Sequence, residues 1–292
     1  MILDTFPAFI DYWGLFRDRS VDEQIEGWKS VYLKPWPELF EKQVKDYQDQ
    51  DLDWRKVARE KIFPFLGERE ASLRLAHHSI LKICEPVLAN TRKQFAFGGA
   101  VTFVIHVGIG CGVGWVTEYQ HADAILFGLE NIAEEGWIEP GTIRGLVAHE
   151  IGHLLHYSWL REIKEQVGAS PWWQLFTEGV AQRCEHILLM GEDSWHMVKG
   201  NQSNDWLAWC RENESWLAEE FLRRANRGED IRPFFGSWFT LHGWKQCGYF
   251  LGHEIVVEME KLKTFHEVAC MKDVEGECRQ VLMEMAHHQR NK

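Results

Sequence analysis

The sequence predicts a mostly helical α+β protein with one small β-sheet in the middle of the chain. Apolar residues recur at helical spacing over residues 1–94 and again after about residue 142. Residues 95–130 are instead rich in β-branched and aromatic residues, which is typical of short strands. Because no Pro-, Gly- or Ser-rich linker interrupts the 292 residues, we expect the helical region 1–94 and the region 95–292 to form one compact unit.

Helix signals are strong in the first region. The segment "SVDEQIEGWKSVYL" opens with a capping box, in which Ser20 and Glu23 each satisfy the backbone N–H of the other. The segments "PELFEKQVKDY" and "LRLAHHSILKICEPVL" place apolar residues three and four positions apart, as an amphipathic helix does. We therefore expect helices throughout residues 1–94.

The segments "FAFGGAVTFVIHVG" and "DAILFGL" are the strand candidates of residues 95–130, and the glycine-rich run "GIGCGVG" lies between them. A dinucleotide-binding fingerprint that starts at Gly108 needs its third glycine at position 113, which is Val113. The run therefore favours a flexible connection between strands over a loop that cradles phosphate.

Helices are expected again after the sheet. Residues 142–190 should form two of them, the second opening at Ser170–Pro171 with an N-cap followed by proline and ending at Gly191. Residues 204–288 contain the amphipathic "NDWLAWCRENESWLAEEFLRRA", a helix over "GWKQCGYFLGHEIVVEMEKLK", and a capping box in "TFHE", formed by Thr264 and Glu267, that opens the next helix.

Composition excludes several classes of partner. The formal net charge of −12 and the lack of any basic run argue against nucleic acid and anionic membranes. No stretch approaches 18 uninterrupted apolar residues, and the N-terminus lacks the basic region of a signal peptide. The seven cysteines are widely spaced without a CxxC pair, which argues against a disulfide framework or a cysteine zinc site. We expect a cytoplasmic protein.

The segment "GLVAHEIGHLLH" carries the pattern H-E-x-x-H at His149, Glu150 and His153. On a helix, residues four apart lie one turn above each other, so the two imidazoles can converge on one small cation. Zn²⁺ prefers nitrogen ligands, and the intervening glutamate can reach a water beside the ion. Buried histidines and a buried glutamate are costly without partners, and a metal supplies them.

A catalytic zinc site needs a third protein ligand. The third ligand does not come from the metzincin continuation H-x-x-G-x-x-H, because His156 occupies the position of its glycine and Trp159 the position of its histidine. His156 itself is one candidate, one turn beyond His153, although a packed histidine is the simpler interpretation. A glutamate on a neighbouring helix is the other, and Glu178 in "LFTEGVAQ" is placed for that role.

The residues after Glu178 favour it as the ligand. Gly179 and Ala181 are small, so they would let two helices approach closely enough for the carboxylate to reach a metal held by the other. Gln182 and Glu185 follow on the same helix face, where they could orient a metal ligand from behind.

"HEIGH" followed about 25 residues later by "TEGVA" resembles the gluzincin class of zinc metallopeptidases, which bind zinc through H-E-x-x-H and a downstream glutamate. The chain is most similar to a group of bacterial proteins regarded as zinc-dependent proteases, in which an EG-x-A glutamate and a later GY-x-x-G segment recur. That segment is Gly248–Gly252 here. The resemblance covers about residues 95–260 and is specific at the motifs.

This resemblance implies a zincin-like fold, with the small central sheet beside the H-E-x-x-H helix. It implies one Zn²⁺ per chain held by His149, His153 and Glu178, with Glu150 as the base that activates water and a peptide or protein as substrate. It also implies an edge strand that pairs with substrate, drawn from "VTFVIHVG" or "GWVTEY", and a residue that stabilises the oxyanion, for which Tyr249 is the candidate.

A helical wheel adds to the case for Tyr249. At about 100° per residue, His242, Tyr249 and His253 fall within about 40° of one another. His242 and His253 are thus candidates to support the ligands or the transition state, as is Gln182, which replaces the aspartate of the E-x-x-x-D form. The GAMEN signature of aminopeptidases is absent, which weakens an assignment to that group.

Other functions remain open at this point. The chain could be a zinc-binding module without protease activity, although an intact Glu150 has no use in a purely structural site. It could instead hydrolyse a non-peptide amide or ester by the same chemistry. A metal-free helical scaffold would require both "HEIGH" and "TEGVA" to be coincidental.

Overall fold

The computed structural model describes residues 1–190, 195–198, 205–236 and 238–288. It confirms the mostly helical α+β class with a small mixed sheet. The chain forms two compact units, Met1–Glu150 and Ile151–Lys292. The N-terminal segment belongs to the first unit together with the sheet, because Ile2–Asp4 forms a strand that pairs with residues 103–105.

The sheet of the first unit has four strands: β1 (Ile2–Asp4), β2 (Thr102–His106), β3 (Gly114–Tyr119) and β4 (Ala122–Gly128). Their order is β1-β2-β4-β3, with β1 and β4 parallel to β2 and β3 antiparallel to β4. Strand β2 is buried along its whole length and paired on both sides, whereas β3 lies at an edge.

Strand β1 corrects the expectation that residues 1–94 are wholly helical. Leu3 pairs with Val104, and the Thr5 N–H donates to the Ile105 carbonyl at 3.0 Å. A strand of three residues is too short to display the period-two alternation by which strands are recognised, so its pairing depends on β2.

Helices make up most of the rest of the first unit: α1 (Phe6–Phe16), α2 (Val21–Gly27), α3 (Pro37–Asp49), α4 (Trp54–Val57), α5 (Phe63–Phe95) and α6 (Leu129–Glu135), with π-helical turns at Trp28–Tyr32 and Ala58–Ile62. The predicted capping box is confirmed at the start of α2, where Ser20 N–H donates to Glu23 Oε2 at 3.0 Å and Glu23 N–H donates to Ser20 Oγ at 3.4 Å. Helix α5 continues through Pro86.

The second unit is helical in its described part. Helix α7 (Pro140–Glu162) begins in the first unit and is continuous into the second. The helices that follow are α8 (Pro171–Leu189), α9 (Asp205–Glu212), α10 (Glu214–Arg227), α11 (Arg232–Phe235), α12 (Cys247–Glu260), α13 (Phe265–Ala269) and α14 (Val274–His288), with a 3₁₀ turn at His196–Val198.

Local helix signals are confirmed here as well. Ser170 Oγ accepts from Trp173 N–H at the start of α8, and Thr264 and Glu267 form the predicted capping box of α13. Helix α8 ends at Leu189, with Met190 left-handed; Gly191, the predicted end, lies outside the described residues.

Two helix predictions are wrong in extent. The helix expected over residues 243–263 begins only at Cys247, because Gln246 adopts a left-handed conformation with φ of 59° that an α-helix cannot include. The single amphipathic helix expected from residue 204 divides at Asn213 into α9 and α10.

Small residues allow α8 to approach its neighbours in the second unit. A Cβ atom placed on Gly179 would lie 2.2 Å from the Gly252 carbonyl oxygen of α12. A Cβ atom on Gly152 of α7 would lie 2.9 Å from Ala181 Cα and 2.9 Å from Cys184 Cβ of α8. These contacts are shorter than real Cβ atoms make, so glycine is required at both positions.

No helix in the described part of the chain combines the length and the apolar character needed to cross a membrane. All seven cysteines are free thiols.

Substitution of Gly179 by alanine should lower the free energy of unfolding by about 1–3 kcal/mol, because the new methyl group meets α12 backbone that cannot rotate away. Gly14→Ala in α1 is the matched control, since nothing lies within 4 Å of a Cβ atom there. That control should gain up to about 1 kcal/mol from helix propensity. Urea unfolding of both variants measures the difference, and equal stability would contradict the close approach.

Candidate metal centre

The three residues of the H-E-x-x-H pattern lie in the middle of α7, which begins at Pro140, two residues before the predicted start at residue 142. His149 is 2% exposed, Glu150 6% and His153 8%. The helix carries its polar residues into the protein interior, where an imidazole or a carboxylate needs a partner.

Glu178 of α8 meets this group at His153. Its Oε2 lies 3.3 Å from His153 Nε2, and both side chains are mostly buried. The contact depends on the close approach of α7 and α8 at Gly152 and Ala181. Ala181 contributes as predicted, with Gly152 of α7 as its partner. The prediction is wrong for Gly179, which meets α12 and not α7.

The ligand atoms of His149, His153 and Glu178 all lie within 4.8 Å of one another. Two ligand atoms held at about 2.0–2.1 Å by a tetrahedral zinc ion stand about 3.3 Å apart. The separation of His153 Nε2 from Glu178 Oε2 equals that value, whereas a charge-assisted hydrogen bond is usually shorter, at about 2.7–2.9 Å. Two imidazoles and one carboxylate are also a donor set that zinc accepts, so the residues fit the ion.

Glu150 faces the start of strand β3. A Cβ atom placed on Gly114 would lie 2.4 Å from Glu150 Cδ and 2.4 Å from Oε1, so the carboxyl group packs directly on the Gly114 backbone. Since β3 is an edge strand, the glutamate of the motif lies beside the first residue of that edge.

The glycine-rich run that leads into β3 is held by side chains. Glu130 accepts from the N–H groups of Gly108 at 2.6 Å and Gly110 at 3.1 Å, and Asn131 accepts from the Gly112 N–H at 3.2 Å. This arrangement corrects the expectation of a flexible connection. The backbone donors that could have bound a phosphate are occupied by the side chains of Glu130 and Asn131.

A second group of three potential ligands includes residues that the sequence analysis did not combine. Ligand atoms of His149, Glu185 and His196 lie within 4.8 Å of one another. Glu185 Oε2 accepts from Gln182 Nε2 at 3.0 Å and from His196 Nδ1 at 2.7 Å. His196 was missed because no motif spacing marks it; it lies in a short 3₁₀ turn that only the fold brings to α8.

His156 is a packed histidine, as the simpler interpretation holds. Its Nε2 donates to the Ala269 carbonyl oxygen at 3.0 Å, and its ring packs edge-on against Phe176. Burial lowers the pKa of His156 to about 3, so it is neutral.

The predicted stripe of His242, Tyr249 and His253 is wrong as a helical feature. His242 lies in a turn outside α12 with φ of 50°, exposed, and its ring contacts Trp216. Tyr249 and His253 are on α12: the Tyr249 ring packs on Phe235, and His253 Nδ1 lies 2.8 Å from Glu254 Oε1. The roles of Tyr249 and His253 stay predictions.

Comparison of the chain with protein-family models, with curated proteins and with solved structures finds no match. The resemblance to gluzincins therefore rests on the motifs and stays a prediction.

Gly114→Ala should disturb Glu150, because the added methyl group would occupy the place of its carboxyl carbon. We expect the free energy of unfolding to fall by about 1–3 kcal/mol. The loss should shrink when Glu150 is also replaced by alanine, which gives a coupling energy of about 0.5–3 kcal/mol in a double-mutant cycle. Gly98→Ala, where nothing lies within 4 Å of a Cβ atom, is the control. Additive effects of the two substitutions would rule out the packing of Glu150 on Gly114.

Burial raises the pKa of Glu130 to about 7. The hydrogen bonds that its carboxyl group accepts from the Gly108 and Gly110 N–H groups lower the pKa, but burial has the larger effect. A raised carboxyl pKa contributes stability that is present below the ordinary value of 4.5 and is lost as the pH rises through 7. Relative to a Glu130→Gln variant, the parent should lose up to about 1.4 kcal/mol of unfolding free energy per pH unit across this window. Urea unfolding at intervals from pH 4.5 to 7.5 tests this, and parallel curves would contradict it.

Proposed function

We propose that this protein is a zinc-dependent peptidase of the gluzincin type. The observation that supports it best is the group formed by His149, His153 and Glu178, with the His153–Glu178 separation of 3.3 Å that suits a shared zinc ion. His149, His153 and Glu178 would hold one Zn²⁺ per chain. When bound, zinc would polarise a substrate carbonyl and make water a stronger acid.

Glu150 would act as the general base. It follows the first ligand directly, so it is placed beside the ligands without joining them. Its carboxylate would take a proton from the attacking water and pass that proton to the leaving amine as the amide bond breaks. Its packing on Gly114, at 6% exposure, would hold the carboxylate in one orientation.

Strand β3, "GWVTEY", is the better of the two candidates for pairing with a peptide. Strand β2, which contains "TFVIH", is flanked by β1 and β4, while β3 is bordered by β4 on one side only among the described strands. An extended substrate that adds to the β3 edge by main-chain hydrogen bonds would pass the Gly114 backbone, and therefore Glu150. This supports a peptide or protein substrate over a small amide or ester.

Tyr249 remains the candidate for stabilising the oxyanion. It lies in the first turn of α12, which packs closely on the Glu178 helix where Gly252 meets Gly179. Half-buried, it keeps part of its side chain accessible. The free thiols of all seven cysteines support a reducing compartment, and we propose the cytoplasm.

The first test is the metal content of protein purified without added metal or chelator, measured by elemental mass spectrometry. We expect about one zinc per chain in the parent and in Glu150→Gln, and less in His153→Ala and Glu178→Ala, because these two lack a ligand. A parent that contains no zinc and takes up none would exclude the proposal.

The second test is hydrolysis of a fluorogenic peptide library, with simple ester and amide substrates in parallel. Glu150→Gln should lose about 10²–10⁴-fold in rate while it keeps its zinc, because the ligands remain and the base is gone. Glu162→Gln, an exposed position at the end of the same helix, is the matched control and should keep the parent rate. Cleavage of esters alone would instead indicate a non-peptide hydrolase, and zinc without any hydrolysis a binding module.

A further inference from the structure

Glu185 is the most deeply buried carboxylate beside the candidate centre, with an exposure of 0%. It lies on α8, two turns beyond Glu178. Three donors hold it: Gln182 Nε2 at 3.0 Å and His196 Nδ1 at 2.7 Å on Oε2, and the His196 N–H at 3.1 Å on Oε1. A carboxylate that accepts this many bonds has a fixed orientation.

The carboxylate lies near a proposed zinc ligand. Ligand atoms of Glu185 and His196 lie within 4.8 Å of an imidazole nitrogen of His149. An imidazole that binds a metal through one nitrogen carries its proton on the other, and a hydrogen bond from that N–H to a carboxylate fixes both the tautomer and the ring orientation. Glu185 is a carboxylate within reach of this ring whose own position is already determined.

His149, Glu185 and His196 are less suited to binding a second metal ion. Both oxygens of Glu185 are already engaged by the backbone and the ring of His196, and by Gln182. An ion would have to displace the 2.7 Å bond from His196 Nδ1, which a positioning role preserves.

We propose that Glu185 positions His149 for metal binding by accepting its second ring N–H, and that Gln182 and His196 hold the Glu185 carboxylate in place. The inference rests on the proposed zinc site. Glu185, Gln182 and His196 are positioning residues, since they would act through His149.

The experiment measures zinc affinity by competition with a chromophoric chelator, and the coordination geometry by the visible spectrum of the Co²⁺-substituted protein. Glu185→Gln keeps the shape of the side chain but removes its charge, so its zinc affinity should fall by about 10–100-fold, with a changed Co²⁺ spectrum. Glu260→Gln is the matched control. It removes a carboxylate that forms an ion pair with Arg183 of α8, the helix of Glu185, but Glu260 belongs to neither candidate ligand group. It should bind zinc like the parent.

His196 provides the second pair of variants. His196→Asn keeps a donor near the position of Nδ1, and His196→Leu removes it at similar size, so zinc affinity should be retained in the first and lost in the second. Unfolding of the metal-free proteins separates this effect from stability. If Glu185→Gln does not fold, the His196 pair decides.

Each outcome has one meaning. Parent affinity and an unchanged Co²⁺ spectrum in folded Glu185→Gln, or equal affinity in the two His196 variants, would overturn the positioning role and leave the zinc site standing. Failure of the parent itself to bind zinc would overturn the proposed function, and with it this inference.

Discussion

The close approach of α7 and α8 at Gly152 is the constraint on which the candidate centre depends. A side chain at that position would meet the backbone at Ala181 and push the two helices apart. The 3.3 Å separation of His153 Nε2 from Glu178 Oε2 would then be lost. The glycine of "HEIGH" therefore has a physical role as specific as that of the histidines. Helix α8 also packs closely on α12, where Gly179 meets Gly252.

Close packing also explains why so much charge can lie inside this protein. A buried carboxylate is costly unless donors surround it, and Glu130 and Glu185 both have them. Glu130 takes the N–H groups of the glycine-rich run, and Glu185 takes Gln182 and His196. The glycine N–H groups and His196 come from segments outside the carboxylate's own helix, whereas Gln182 lies one turn before Glu185 on α8.

The sequence predicted the structure correctly where the signal is local. The capping boxes at Ser20 and Thr264 and the N-cap at Ser170 each depend on residues within four positions of one another, and all three are present. It failed where a local pattern was outweighed by something remote. The helical wheel that joined His242 to Tyr249 assumed a helix through residue 246, but the backbone there is left-handed and the helix begins afterwards.

The sequence by itself determined the helix that carries His149, Glu150 and His153, because residues four apart on a helix share a face whatever surrounds them. It also determined that Glu178 lies among small residues that permit a helix to approach. Tertiary structure alone decided that Gly152 provides the contact, that β3 is the edge strand, and that His196 reaches Glu185. These relations join residues distant in sequence, and their geometry exists only once the chain has packed.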